Sequence, residues 1–365
     1  MADPCVALDL RLADRPGAER TGVGRYSLEL ARSLAMVRPG WRLLGLSNRF
    51  DLPETIEPVR TRVPTGSSGG RIAWHEAASA FDRRVRRADL WFGTGYVIPR
   101  WWRGPAVVTV HDLTFLLERE RYRGRANAAW ATSAVRSATR RARVVLCGSE
   151  ETRDRIARHL HVSPDRIVVT PYGVSRPFLS PPVVEPARRG SYLLFAGTLE
   201  ARKGLDVLET ALDLLAREGR RPELVLAGAA GWGSEASVDR LLRRPGVRFE
   251  PGPSDERLAT LYRGALALVH PSRMEGFGLP VAEAMAAGCP VVASDLACVR
   301  EFALDAPLYS PPGDAPALAA SLAQVLGDAD LRSGMAERGV KASEPLRWER
   351  TAELSARAIE SALGR

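Results

Sequence analysis

Cysteine is scarce. Cys5, Cys147, Cys289 and Cys298 are the only four in 365 residues, and no two form a Cys-x-x-Cys pair. Such scatter argues against a zinc cluster or a disulfide framework and fits reduced thiols. No run of 18 apolar residues occurs, so no membrane-spanning helix is predicted. The opening Met1-Ala-Asp-Pro-Cys5 lacks the basic flank and apolar core of a secretory signal. These absences predict a cytoplasmic protein. Internal repeats and low-complexity tracts are missing as well. Lysine is absent from residues 1–180, where 30 arginines face 18 acidic residues, a net charge of +12, while residues 181–365 carry −3. A first half this basic suits an anionic membrane, a phosphorylated acceptor or nucleic acid, although an arginine-rich set of solvated faces gives the same count.

What is present is a globular composition, 45% hydrophobic and 26% charged, in a chain longer than one core usually carries. Apolar strand-like runs alternate with amphipathic helical stretches. Residues 5–10, 43–47, 89–95, 105–112, 143–149 and 166–173 read as strands, with helices from Gly22 to about Met36 and over residues 150–160. Residues 175–190 hold four prolines and mark a stiff interdomain linker. A second series follows, with strands at 192–197, 223–227, 247–250, 265–269 and 290–294, a helical pair over 315–341 and a last amphipathic helix over 348–363. The alternation predicts an α/β protein with two doubly wound parallel sheets. The boundaries are residues 1–178, a linker at 179–190, a second domain at 191–345 and a closing helical segment at 346–365.

The organising stretch is residues 270–290. An apolar strand enters a turn containing Gly276 and Gly278, then a helix from Pro280, a residue suited to the first helical position. Such a turn aims the backbone N–H groups of about 277–281 outward as an anion site. Glu275 and Glu283 flank it, each able to accept hydrogen bonds from sugar hydroxyls. That is a plan for holding a nucleotide sugar, although acidic residues in a first helical turn are common for dipole reasons alone. Earlier in the second half, Thr198 opens a turn that carries Arg202 and Lys203 just before a helix. Cations there oppose the helix dipole, which favours a role with phosphate.

In the first half, an apolar strand ends in His111-Asp112. Carboxyl ends of strands are where doubly wound sheets bind ligands, so His111 is a candidate for a sugar contact or for acid–base work. A histidine satisfied within the core is the competing reading. Gly22-Val-Gly24 opens a helix and is a possible second phosphate cradle, or only a site of close packing. It lacks the third glycine and the acidic ribose partner of a dinucleotide fingerprint, which counts against a nicotinamide-dependent enzyme. Trp101 and Trp102, between Arg100 and Arg103, suit a sugar or lipid-headgroup lip unless one packs inward. The acidic pair Asp328 and Asp330 reads as a helix cap.

Five stretches in order carry a family resemblance: Thr21-Gly-Val-Gly-Arg-Tyr, Val110-His-Asp-Leu-Thr-Phe, Cys147-Gly-Ser-Glu, Gly197-Thr-Leu-Glu-Ala-Arg-Lys-Gly204 and Glu275-Gly-Phe-Gly-Leu-Pro-Val-Ala-Glu283. The chain resembles the retaining glycosyltransferases of family 4, and its variants look most like bacterial mannosyltransferases that build O-antigen polysaccharide. The resemblance implies the GT-B fold: two Rossmann-like domains facing across a cleft, with a C-terminal helix crossing back to the first. It implies that Arg202 and Lys203 neutralise a donor diphosphate and that Glu283 accepts from ribose hydroxyls. Glu275 would hold the transferred hexose together with Gly276 and the amides of Phe277, Gly278 and Leu279, with Thr198 also on the donor side. Pro251 and Gly252 would read the base, Gly22 and Gly24 would approach the diphosphate, and His111 would contact the hexose near the reacting carbon. No metal or other cofactor is implied. The expected partners are a nucleotide-sugar donor and a saccharide or lipid-linked acceptor. Peripheral contact with the inner face of the membrane is possible on this reading, and no nucleic acid is expected. The activity implied is transfer of a hexose, mannose from GDP-mannose, with a UDP-hexose as the alternative donor. A non-catalytic sugar-binding protein is a further alternative.

Overall fold

The computed structural model describes residues 3–14, 21–48, 52–60, 82–122, 124–179 and 192–364. The proline-rich linker read at 179–190 falls, from residue 180 onward, outside the described residues. The chain divides into two compact units, Met1–Leu113 with Ala129–Gly173 and Arg347–Arg365, and Thr114–Ala128 with Val174–Leu346.

The first unit is built on β1 (Cys5–Asp9), β2 (Arg42–Leu46), β3 (Ile56–Val59), β4 (Leu90–Gly93), β5 (Ala106–Thr109), β6 (Val144–Cys147) and β7 (Ile167–Val169). They pair in parallel in the order β3-β2-β1-β4-β5-β6-β7. A parallel sheet needs covering on both faces, so its central strands are continuous apolar runs, and β4, β5 and β6 are buried throughout. Strand order reverses between β1 and β4, which places a crevice at their carboxyl ends. Helix Gly22–Val37 follows β1 and buries Tyr26, Leu30 and Leu34, a spacing of one turn each. Helix Trp348–Leu363 packs against it, and Arg38 ties the two through Glu360 (2.9 Å) and Glu353 (3.1 Å). The last helix lies so close to the backbone after β7 that a Cβ on Gly173 would stand 2.2 Å from the Trp348 amide nitrogen.

The second unit has β8 (Tyr192–Ala196), β9 (Glu223–Gly228), β10 (Val247–Pro251), β11 (Ala267–His270), β12 (Val291–Ser294) and β13 (Leu308–Ser310), all parallel, in the order β10-β9-β8-β11-β12-β13. Helix Leu205–Arg217 buries Leu205, Leu208, Ala211, Leu212 and Leu215, the i, i+3, i+4 stripe of a helix lying on a sheet. It packs with helix Ala315–Gly327 over Leu193, Phe195 and Leu226. Here the order reverses between β8 and β11, so the loops leaving those two strands meet at the switch point. Both doubly wound sheets agree with the alternation read from sequence. No helix among the described residues is long and apolar enough to cross a membrane.

Candidate active site

The loop leaving β8 carries Thr198, Glu200, Arg202 and Lys203; the loop leaving β11 carries Glu275. A backbone bond from Arg273 N–H to Arg202 O (2.8 Å) joins them. Gly204 makes this approach possible. Its φ is +69° and a Cβ there would lie 2.1 Å from the Pro271 carbonyl oxygen. The short 3-10 turn Ala201–Lys203 then aims both cations at one carboxylate. Lys203 Nζ stands 2.5 Å from Glu275 Oε1, and Arg202 Nη1 donates to Glu275 Oε2 at 2.9 Å. Arg202 also donates from Nε to Glu200 Oε2 (3.0 Å) and from Nη1 to the Met274 carbonyl (3.1 Å).

Glu200, Lys203 and Glu275 are buried, and Arg202 is half-buried beside them. Burial by itself would raise the Glu275 carboxyl, but the Lys203 and Arg202 charges outweigh it and hold the group well below the usual carboxylate range. Burial, with Arg202 beside it, pushes Lys203 down, against the pull of Glu275. His270 ends β11 directly beneath; its Nε2 is 3.2 Å from Glu275 Oε1 but off the hydrogen-bond direction, and burial lowers its pKa, so it sits there neutral. The two cations expected beside a diphosphate are thus paired with a carboxylate in this structure. In this structure Arg202 and Lys203 already share Glu275, which the sequence reading had assigned separately to the sugar.

The turn after Glu275 also differs in part from expectation. Val281 and Ala282 N–H donate to Gly278 O, at 2.9 and 3.3 Å, and Pro280 has no N–H, so the outward amides do not run over 277–281. The amides of Gly278 and Leu279 have no protein acceptor among the described residues and open helix Leu279–Ala286. Gly278 takes φ +104°, and the Phe277 ring stacks on Phe302 with centroids 4.7 Å apart. Gly276 continues the turn from Glu275. Glu283, one helical turn on, is buried and accepts from the Tyr262 hydroxyl (3.2 Å). Thr198 is half-buried at the carboxyl end of β8. Pro251 and Gly252 sit at the carboxyl end of the edge strand β10, two strands from β8 and about 10 Å across the sheet, with Gly252 N–H bonded to Gly228 O (2.9 Å). Sequence reading missed Glu200, His270 and Tyr262. Glu200 had a visible signal, an acid two residues before Arg202; the other two act only through strand and helix placement.

Gly22, Gly24 and His111 belong to the first unit. Thr21 Oγ1 caps the helix by accepting from Gly24 N–H (3.3 Å), so one donor of the proposed phosphate cradle is already engaged. His111 is a satisfied histidine. Nε2 lies 2.8 Å from the Thr94 carbonyl and must donate; Nδ1, 2.8 Å from the Tyr172 hydroxyl, accepts. Burial lowers its pKa to about 4, although the Thr94 carbonyl opposes this. With both nitrogens engaged, the acid–base role read from the strand end is not supported by this arrangement. Trp102 is buried and donates to Pro105 O (3.0 Å), and Trp101 packs edge-on to Trp91, so the two tryptophans form an aromatic cluster rather than an exposed pair. Asp328 caps helix Ala329–Ser343 through Leu331 N–H. No group of three or more potential metal ligands gathers among the described residues.

The neutral His111 has a pH consequence. Below the ordinary histidine value of 6.5 the unfolded chain takes up a proton that folded His111 refuses until about pH 4. Its contribution to stability is complete above pH 6.5 and is lost as pH falls toward 4, by up to about 3 kcal/mol. His111→Gln is expected to remove that slope. Melting temperatures from pH 7.5 to 4.5 in both proteins check it, and parallel curves would place the acid sensitivity elsewhere.

Two Rossmann-like parallel-sheet units in one chain, one with two cations paired to a carboxylate at its switch point, define the GT-B class of architecture. Residues 182–342 match the model of Glycosyl transferases group 1, and residues 20–176 that of Glycosyltransferase Family 4. An Escherichia coli O-antigen chain mannosyltransferase B is 30% identical over 357 residues, covering 90% of this chain and 93% of that protein. Among solved structures, sucrose-phosphate synthase from Thermosynechococcus elongatus superimposes with TM-score 0.80 at 19% identity, covering 99% of both chains. Anabaena HepE, in complex with UDP and glucose, gives 0.72 at 18% identity, covering 98% of this chain and all of that one. The chain belongs to the GT-B glycosyltransferase family.

Proposed function

We propose that the chain is a retaining transferase that moves mannose from GDP-mannose to a saccharide or lipid-linked acceptor. The observation that carries the reading is the cluster of buried Lys203 and Glu275 with half-buried Arg202, in the loops just before helix Leu279–Ala286. Glycosyl transfer leaves negative charge on a departing pyrophosphate, and preorganised donors stabilise it best where water is excluded. Lys203 has three N–H donors and Arg202 five, so each can keep Glu275 and still reach phosphate oxygens. The Gly278 and Leu279 amides supply further donors and the positive end of a helix dipole. This chemistry needs no metal. Glu275, held ionised by two cations, is a poor nucleophile, which favours attack from the face the diphosphate leaves over a covalent intermediate on Glu275. The similarity to an O-antigen mannosyltransferase supports mannose as the hexose. The HepE complex, named for UDP and glucose, supports a UDP-hexose as the second reading. The basic first half would suit an acceptor held at an anionic membrane surface.

A thermal-shift panel of GDP-mannose, UDP-glucose and ADP-glucose tests the donor. A ligand at 100 times its Kd stabilises the folded state by about 2.7 kcal/mol, so the true donor is expected to stand clear of the others. Arg202→Ala is expected to weaken that shift and to lower kcat/KM at least tenfold. A flat panel, or wild-type turnover in Arg202→Ala, would remove the diphosphate role.

A further inference from the structure

The second unit holds a cavity of about 540 Å³ that the transfer chemistry does not use, inside the range of roughly 300–1,000 Å³ typical of small-molecule sites. Its wall is aromatic on one side: Tyr122 meets Trp232 edge to face at 6.3 Å, and buried Phe115 backs Tyr122 at 6.0 Å. On the other side Arg273 grips Asp206 through two 2.7 Å bonds. Among the described residues the charged lining side chains are Glu120, Arg121, Asp206 and Arg273, two of each sign. The cavity also shares a backbone with the cation cluster. Ala201 lines it, Ala201 N–H donates to Trp232 O (3.0 Å), and Arg202 is the next residue.

We propose that this cavity binds a neutral saccharide, as a second carbohydrate subsite that holds a more distant part of the acceptor chain. The charges of the described lining residues balance, which gives no excess for a phosphate or an acidic sugar. Half-buried aromatic rings offer apolar faces for the C–H side of a pyranose, while the planar carboxylate and guanidinium suit its hydroxyls. The proposal rests on the glycosyltransferase reading, which places the departing pyrophosphate of the donor beside Arg202. It predicts that acceptor length matters to affinity through Trp232 and Tyr122, while the donor does not feel them.

The test uses the full chain. Direct binding of neutral tetrasaccharides built from mannose, glucose or galactose is measured by tryptophan fluorescence in wild type, Trp232→Ala, Trp232→Phe and Tyr122→Ala, with glucose 6-phosphate as the anionic probe. At least one tetrasaccharide is expected to bind, at least tenfold more weakly to either alanine variant and with partial rescue in Trp232→Phe. In turnover, KM for the bound tetrasaccharide is expected to rise by a similar factor, with KM for the donor and for the monosaccharide acceptor unchanged. Binding of none of the tetrasaccharides, equal binding by all four proteins, or preference for glucose 6-phosphate overturns the subsite. A wild type that binds the tetrasaccharide but transfers from no nucleotide sugar would sink the transferase reading and leave the subsite standing. Melting temperatures within a few degrees of wild type show that the variants are folded, and Tyr122→Ala carries the test should Trp232→Ala not be.

Discussion

Glu275→Ala is expected to cost about 3–5 kcal/mol of stability as well as the activity. Removing one member of a buried ion pair leaves its partners uncompensated, and this carboxylate neutralises two. Arg202 retains Glu200, but Lys203, buried and already pushed downward, has no other carboxylate within ion-pair distance among the described residues. It would have to shed its proton or draw water into the core. The double variant Glu275→Leu with Lys203→Met removes both charges of the shorter pair and is expected to regain half or more of the loss. Denaturant unfolding of Glu275→Ala and the double variant measures this, and the matching singles Glu275→Leu and Lys203→Met complete a cycle whose non-additivity is the interaction energy. An alanine variant as stable as wild type would mean that Lys203 and Glu275 are not paired in solution. Transfer is expected to remain at background in both, because neither retains the Glu275 carboxylate that pairs with Arg202.

The second large effect is in the backbone. Gly204→Ala is expected to lose about 3 kcal/mol or more, through two separate causes. At φ +69° an alanine carries the strain of the left-handed region, about 1 kcal/mol. Its Cβ would also sit 2.1 Å from the Pro271 carbonyl oxygen, backbone that cannot rotate aside, so the two loops must part. Gly219 provides the control. Its φ is +79°, and a Cβ there meets nothing within 4 Å, so Gly219→Ala bears the strain without the clash. Calorimetric unfolding should rank wild type, Gly219→Ala and Gly204→Ala in falling order. Equal losses at the two glycines would show that the close approach of the β8 and β11 loops carries no energy. Since Arg202 and Lys203 precede Gly204 directly, the same substitution is expected to weaken donor binding.

Much of the architecture could be read along the chain. Residues 192–196 and 267–270 are apolar runs bounded by turn residues, and helix Leu205–Arg217 shows its buried stripe plainly, because burial imposes short-range periods of two and 3.6 residues. The chemistry-bearing residues were legible as types in loops: Arg202 and Lys203 before a helix, Glu275 before a glycine turn. Their relation was not. Arg202 and Lys203 are 73 and 72 residues from Glu275, and no local pattern says that they touch. His111 shows the same limit from the other direction. A strand ending in His-Asp looks like a reactive histidine until Thr94 and Tyr172, 17 and 61 residues away, occupy both nitrogens. Trp101 and Trp102 look like a lip until Trp91 is placed beside them.

The sequence alone determined the class of fold, the loops in which the functional side chains lie and the family of enzymes to which the chain belongs, since each of these is written in local spacing and motif. Tertiary structure alone decided which charges neutralise each other, which histidine is silent and where Tyr122 meets Trp232. Those facts depend on the order in which parallel strands lie side by side. The reversal between β8 and β11 brings two loops far apart in the chain within a hydrogen bond of one another, and only the folded sheet fixes that order.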